Sequence, residues 1–530
     1  MAGLRGGSIP SYYRDVFEIV CPDGESKIPE KVCVRLLLKS QLPKDVLLEI
    51  WRTVDSKQQG FLNRDGLYKA LALTALAQQS KPLTDKALDA YQDTELPMPT
   101  LGDLSDLRKL TLRFRRQSHP TQLGYTYDEL VGLDTLHLRI IPGKKGLIMK
   151  HVEFILESHT HGTSIQRRYS DFEILHDYLH RRYPYRLIPR LPPKKVNPSS
   201  RFVEVRRRAL QRYINLVCRH PTMADDDIVK FFVTFNGKDF QHNLREKFKL
   251  LPDEFATNPL AAQSRELAGL EMQTNMSSIK DQIRQMQTNL ISLRETAQRM
   301  TDRSLTMADD MNIFATELAA VSSDTRTATA WTQGSDSSWS HVKAGLRSLG
   351  PHFGRLSERS KEKATQESDG LVENISMLLA LINAYQDLVD RREKGVMHEH
   401  QTAIANVERL KKHQGKLNTR KDVTTAHNWA EDAEKLGNRI VMEEGYITNV
   451  EMRNYFSLYC LNMEAQVVNT NMNQFAVIMQ EMVDTQLQMN EQLQAVWKDM
   501  KPITEKILPP TSSASSPLKK TEWDAAVPTF

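Results

Sequence analysis

Apolar residues in the second half of the chain recur at alternating steps of four and three. From residue 272 they fall at Met272, Met276, Ile279, Ile283, Met286, Leu290, Leu293, Ala297 and Met300. This is the a/d heptad of helices that pack along their length. After Ser304 the register resumes at Met307, Met311, Phe314 and Leu318. A second run is Leu371, Ile375, Leu378, Ile382, Tyr385 and Val389, with Val396 beyond Arg392. A third begins at Met452, Phe456, Tyr459 and Met463, slips, and continues through Phe475, Met479, Met482, Met489, Leu493, Val496 and Met500. Helices of about 50 residues span roughly 75 Å, too long for one globular core. The pattern predicts three long helices in an elongated antiparallel coiled coil, with surplus apolar surface for a dimer. Lys411, Lys412, Lys416, Arg420 and Lys421 fall between the second and third helices. A basic tip there suits anionic lipid head groups, or simply water.

Upstream the period changes. L-H-L-R-I-I-P-G-K-K-G-L-I-M-K-H-V-E-F-I-L reads as a β-hairpin, with Pro142-Gly143 and Gly146 at its turn. A third strand runs into S-I-Q-R-R-Y-S-D-F-E-I-L-H-D-Y-L, where helical spacing begins at Asp171. The proline loop R-L-P-P-K-K-V-N-P and the basic helix F-V-E-V-R-R-R-A-L-Q-R-Y-I-N-L-V follow. Arg168 and Tyr169 at a strand end, a Lys after Pro192-Pro193 and an Arg on the next helix suit one phosphorylated ring. A guanidinium grips phosphate through two hydrogen bonds, an aromatic face stacks on the ring, and an ammonium adds a point charge. Plain surface solvation is the simpler reading of the same residues. Residues 12–95 show short helical runs that end near L-P-M-P at 96–99.

Composition narrows the class. The 530 residues allow two to four domains. Seventy-one Lys and Arg against 66 Asp and Glu leave a net charge of +5, which excludes an acidic disordered protein. That small excess hides a gradient: residues 139–212 carry 17 Lys and Arg against 6 Asp and Glu, an excess of 11, and the remainder is mildly acidic. Such polarity fits a cationic module facing an anionic membrane. Cys21, Cys33, Cys218 and Cys460 are scattered without metal or disulfide spacing, as in a reducing compartment. The first twenty residues lack a secretory apolar core, Ala2 breaks the myristoylation signal, and no apolar run approaches the ~20 residues of a spanning helix. A cytosolic, peripherally bound protein is expected. His176 and His180 sit four apart without a third ligand, G-K-K-G is not a phosphate loop, and no G-x-S-x-G or dinucleotide fingerprint occurs. No enzyme activity, metal or cofactor is expected.

The order R-R-Y-S-D-F, L-P-P-K and an Arg-bearing helix resembles the phox-homology (PX) domain over 134–240. The resemblance implies a three-stranded sheet on helices that binds phosphatidylinositol 3-phosphate. By motif Arg168 holds the 3-phosphate, Tyr169 stacks under the inositol ring, and Lys194 meets the 1-phosphate, a role Lys195 can share. Arg206 contacts the far hydroxyls, with Arg207 and Arg208 adjoining it as alternatives. A PX domain followed by three long helices resembles the PX-BAR sorting nexins, whose helical dimers sense or impose curvature. R-N-Y-F-S-L-Y-C-L (453–461) and H-E-H-Q (398–401) narrow that resemblance to one branch of the family. The segment from Asp239 to Phe255 reads as an amphipathic linker helix, a candidate membrane wedge.

L-P-K-D-V-L-L-E-I-W, followed by D-S-K-Q-Q-G-F-L, resembles the Eps15-homology (EH) domain, an EF-hand pair that binds Asn-Pro-Phe peptides. Trp51, Leu47 and Leu37 would line the peptide pocket by that resemblance; they read equally well as core. Lys57, Gln59 and Gly66 occupy the third, fifth and twelfth positions of the loop from Asp55, so Ca²⁺ is not expected. The expected fold is multidomain: residues 1–11 flexible, an α EH-like domain at 12–95, a linker at 96–133, and an α+β PX domain at 134–240. A linker helix and an all-α three-helix BAR coiled coil occupy 241–502, and 503–530 form a disordered tail. The family implies a homodimer on the cytosolic face of early endosomes, sorting cargo and retrieving it to the Golgi. The competing class is a coiled-coil scaffold or a nucleic-acid binder using the basic patch; no nucleic-acid partner is expected under the leading one.

Overall fold

A computed structural model describes residues 8–21, 27–104, 106–108, 110–111, 119–143, 152–195, 199–323, 337–419 and 426–507. In the N-terminal body, α1 (Ser11–Val20), α2 (Glu30–Leu38), α3 (Lys44–Val54) and α4 (Arg64–Gln78) surround a two-residue antiparallel pair. The pair is β1 (Ile28–Pro29) against β2 (Phe61–Leu62), the junction of two helix–loop–helix units. α4 is apolar on nearly every side, and it is the central helix: Leu67, Leu71, Leu73 and Leu76 are all buried. Asn63 caps it by accepting from the Gly66 amide at 2.8 Å. Both carboxylate oxygens of Asp55 are spent inside its own loop, accepting from the Gln59 and Gly60 amides at 2.8 and 2.9 Å.

Two expected boundaries move here. Of the stretch expected to be flexible, residues 8–11 are held, because Ser8 bridges to the chain at Thr94 and Leu96 through two 3.1 Å backbone bonds. Residues 1–7 lie outside the described residues. The expected linker 96–133 is a strap fastened at both ends. Tyr13 donates to the Pro97 carbonyl at 2.7 Å, and Leu107 is buried in the N-terminal core. Further on, Tyr459 donates to the Pro120 carbonyl, and the Gln466 amide brackets Thr121 and Leu123, each bond 2.8 Å long.

The middle domain is a three-stranded antiparallel sheet, β3 (Leu136–Ile140), β4 (Glu153–Ser158) and β5 (Thr163–Arg168), in that order. Its inner face, Leu138, Leu156 and Ile165, packs on α5 (Tyr169–Arg182), α6 (Ser200–Cys218) and α7 (Asp227–Thr234). The expected linker helix, α8 (Phe240–Lys247), belongs to this same body. Phe240, Leu244 and Phe248 are buried in the core, so the apolar face read as a membrane wedge is already occupied.

Three rod helices follow, as the heptads predict: Leu270–Ser323, residues 337–419 and residues 426–507. The second and third exceed the expected 50 residues. Their continuity survives Pro351, Pro502, two π-helical segments (Glu367–Val372 and Glu393–Met397) and one break at Asn473. Buried Glu367 ties all three together, accepting from Ser304 and Gln486 at 2.8 Å each. The helix passes Pro502 and ends at Ile507, because Ile503 and Ile507 pack on the cluster around Leu349 and Leu356. Residues 503–507 therefore belong to the rod, correcting their place in the expected tail.

The middle domain sits against the rod through buried charge. Arg186 forks onto Glu254 at 2.6 and 2.9 Å and reaches Glu464 on the third helix at 3.0 Å. His220 donates its Nε2 proton to Glu464 at 2.8 Å, since its Nδ1 accepts from the Thr222 and Met223 amides. Residues 456–468 are covered by the domain on one side and by the rod on the other. Leu458, Cys460 and Leu461 are consequently as buried as the heptad residues Phe456 and Tyr459.

Candidate functional site

A strand turns successive side chains to opposite faces, and this separates the two arginines that end β5. Arg167 points inward and is 3% exposed; it donates to the carbonyls of Phe232 and Phe235 at 2.6 to 3.1 Å. Burial lowers its pKa to about 10. Arg168 points outward, its side chain 45% exposed, with Nε 3.6 Å from Asp171. Asp171 accepts from the Arg168 amide at 2.9 Å, which fixes the turn from strand to α5.

Three of the residues expected to surround a phosphorylated ring, Tyr169, Lys194 and Arg206, come together beyond that turn. Tyr169 donates its hydroxyl to the Pro192 carbonyl at 2.6 Å. The Arg206 guanidinium lies 4.6 Å from the Tyr169 ring centroid and 4.9 Å from that of Phe202, and it donates to the Pro193 carbonyl at 3.1 Å. Its buried Nε has no acceptor among the described residues. Lys194 stands on the proline loop beside α5, its ammonium held by Glu173 at 2.9 and 3.1 Å. Lys195 rests over Phe202 at 5.1 Å. Burial raises the Tyr169 phenol, and Glu173 adds to the effect.

Helical spacing sends the three adjacent arginines of α6 to different neighbours. Arg206 faces Tyr169, Arg207 pairs with Glu204 and donates to the Leu138 carbonyl, and Arg208 reaches Asp369 on the rod at 3.0 Å. Much of the basic excess is spent in this way. Arg186, Arg190, Arg208 and Arg212 pair with rod carboxylates Glu464, Asp387, Asp369 and Glu373. Four of the 17 basic residues in the gradient read as a lipid-facing module thus join domain to rod.

On the first rod helix the heptad splits. Leu290, Ala297 and Ala308 are buried against the chain's own helices, while Met286, Leu293, Met307, Phe314 and Val321, at multiples of seven, are 37 to 52% exposed, Phe314 with its ring 4.5 Å from that of Phe353. At the rod tip Lys411 pairs with Glu444 at 2.7 Å, and Lys412 and Lys416 are exposed. Arg420 and Lys421 lie outside the described residues. In the N-terminal body Leu37 and Leu47 are buried and Trp51 is half-buried above them.

Sequence reasoning passed over Glu173, Phe202 and Arg167; Phe202 and Glu173 were detectable as side chains four positions from Arg206 and Tyr169 on the same helices. His176 and His180 bond to each other at 3.1 Å. Among the described residues no three His, Cys, Asp or Glu gather to hold a metal, and no helix is long and apolar enough to cross a membrane.

A small α+β domain bearing a cluster of basic and aromatic side chains, fixed to a three-helix rod with half-exposed apolar positions on its first helix, defines a PX-BAR protein. Family models agree: the EH domain matches residues 10–96, the PX domain 156–236, and the sorting nexin 8/Mvp1 BAR domain 250–509. Sorting nexin-8 of Mus musculus is 37% identical over 414 residues, spanning 78% of this chain and 88% of that protein. Sorting nexin-8 of Homo sapiens is 35% identical, spanning 73% and 82%. The chain belongs to the sorting nexin family, in its PX-BAR class and the sorting nexin 8/Mvp1 branch, a family of membrane trafficking. The cryo-EM structure of the SNX-BAR Mvp1 tetramer shares the fold, with a TM-score of 0.53 at 20% identity over 69% of this chain and 99% of that one.

Proposed function

We propose that this protein binds phosphatidylinositol 3-phosphate on the cytosolic face of early endosomes and couples that recognition to membrane curvature during sorting and endosome-to-Golgi retrieval. The observation that supports the lipid reading is the cluster of Tyr169, Lys194 and Arg206, one residue beyond outward-facing Arg168, with a buried Arg206 donor that has no acceptor among the described residues. An inositol ring stacks on Tyr169. Its 3-phosphate takes both donors of Arg168, its 1-phosphate takes Lys194 with Lys195 beside it, and its far hydroxyls accept from Arg206. The site acts by binding alone and needs no catalytic step or cofactor. Lys412 and Lys416 add a weaker, salt-sensitive attraction at the rod tip.

The homodimer forms through the second seam of the first rod helix, since a row of half-exposed apolar side chains at heptad spacing fits another helix better than water. Two lipid sites on one rigid dimer raise the effective concentration for the same vesicle. Sedimentation with vesicles carrying phosphatidylinositol 3-phosphate tests the lipid reading. Arg168→Ala is expected to lose about tenfold or more in affinity, the scale of one charge-assisted pair; equal binding by wild type and variant sinks it. In the EH-like module, Trp51 over a floor of Leu37 and Leu47 would receive an Asn-Pro-Phe turn. Calorimetric silence toward such peptides would leave that module a structural one.

A further inference from the structure

One carboxylate stands among Tyr169, Lys194 and Arg206. Glu173 lies one helical turn beyond Tyr169 on α5, so the two share a face. It holds the Lys194 ammonium at 2.9 and 3.1 Å. It is also close enough to act on the other two walls: burial raises the Tyr169 phenol and Glu173 adds to that, while burial lowers the Arg206 guanidinium and Tyr169 and Glu173 oppose it. Asp171, the other carboxylate nearby, is buried and committed to the Arg168 amide and to Gln241. The Lys194–Glu173 pair has side-chain exposures of 70% and 30%, and a pair so open to water adds little to folding. Its consequence therefore falls on whatever enters the site.

We propose that Glu173 is a specificity-determining residue: it holds Lys194 in the free protein and restricts the site to inositol lipids with a single ring phosphate. The proposal rests on the head-group reading above and deepens it. A phosphomonoester brings a charge of about −1.5 to −2 near neutral pH. The phosphate nearest Arg168 meets a guanidinium. A second ring phosphate toward Arg206 adds a like charge beside a fixed carboxylate, in a site walled by Tyr169 and Phe202 where screening is weaker than in bulk water. Selectivity built this way needs a repulsive element as well as attractive ones, and Glu173 supplies it.

The test uses the full chain and vesicles carrying phosphatidylinositol 3-phosphate or phosphatidylinositol 3,5-bisphosphate, with wild type, Glu173→Gln and Glu157→Gln. Glu157 pairs with Arg139 toward the other end of the sheet, so its variant changes the net charge equally at a distance from the ring. Glu173→Gln is expected to raise bisphosphate binding about tenfold and monophosphate binding at most about threefold, narrowing their ratio. An unchanged ratio, or the same change in Glu157→Gln, overturns the assignment while leaving the lipid site intact. Loss of the underlying reading looks different: wild type and Arg168→Ala then bind both vesicles alike.

Discussion

Arg167 and Arg168 differ by one position and by almost everything else. Arg167 serves the fold, tying β5 to the carbonyls that end α7, and its truncation leaves those acceptors buried without partners. Arg167→Ala is expected to cost about 2–4 kcal/mol, read from the urea midpoint, whereas Arg168→Ala stays within about 0.5 kcal/mol of wild type. His180 gives a pH signature at the same scale. Burial, Arg391 and His176 lower its pKa from 6.5 to about 4, with Asp387 opposing weakly. The folded state thus keeps it neutral while the unfolded chain takes a proton below 6.5. The stability it contributes is present above that value and is lost as pH falls toward about 4. Thermal melts of His180→Gln across this window should fall less steeply than those of wild type; parallel slopes would contradict the account.

At the scale of elements, a heptad announces that a helix packs, not what it packs against. On the first rod helix one set of positions meets the chain's own helices, and in the other Met286, Leu293, Met307 and Val321 are left half-exposed. Leu293→Glu with Met307→Glu should keep the helical circular dichroism and convert the protein to a monomer by light scattering. An unchanged mass would remove this seam as the dimer interface. The helix after residue 240 shows the converse. Its amphipathic pattern was legible, but Phe231, Phe232 and Phe235 of the neighbouring helix claimed the apolar face of Phe240 first.

For the whole molecule, the most deeply enclosed link between the middle domain and the rod is one charged cluster, beside the more open pairs of Arg190, Arg208 and Arg212. Arg186 and Glu464 are 278 residues apart in sequence and fully enclosed. Removing one partner leaves an uncompensated buried charge, so Glu464→Ala should cost about 3–5 kcal/mol and release the domain from the rod. Hydrogen exchange at Leu187, whose amide faces Glu464 at 3.4 Å, reports that release. Glu464 holds its proton less readily than an ordinary carboxylate, because His220 and Arg186 outweigh its burial. Its contribution is therefore full at neutral pH and disappears on acidification below the usual carboxylate range.

By itself, the sequence determined what is local. Periods of 3.5 and 2 marked the rod and the hairpin, the loop from Asp55 was visible, and the candidate head-group residues stood out because each has a distinctive neighbour. Arg168 closes a strand, Lys194 follows two prolines, and Arg206 begins a run of arginines. Tertiary structure decided what those residues meet. It set Arg206, and not Arg207 or Arg208, against Tyr169, gave Lys194 a carboxylate partner, and turned four arginines of the basic region toward the rod. The reason is physical: backbone geometry and hydrophobic period are written over a few consecutive residues, whereas the partner of a charge depends on which distant helix packing brings within hydrogen-bond reach.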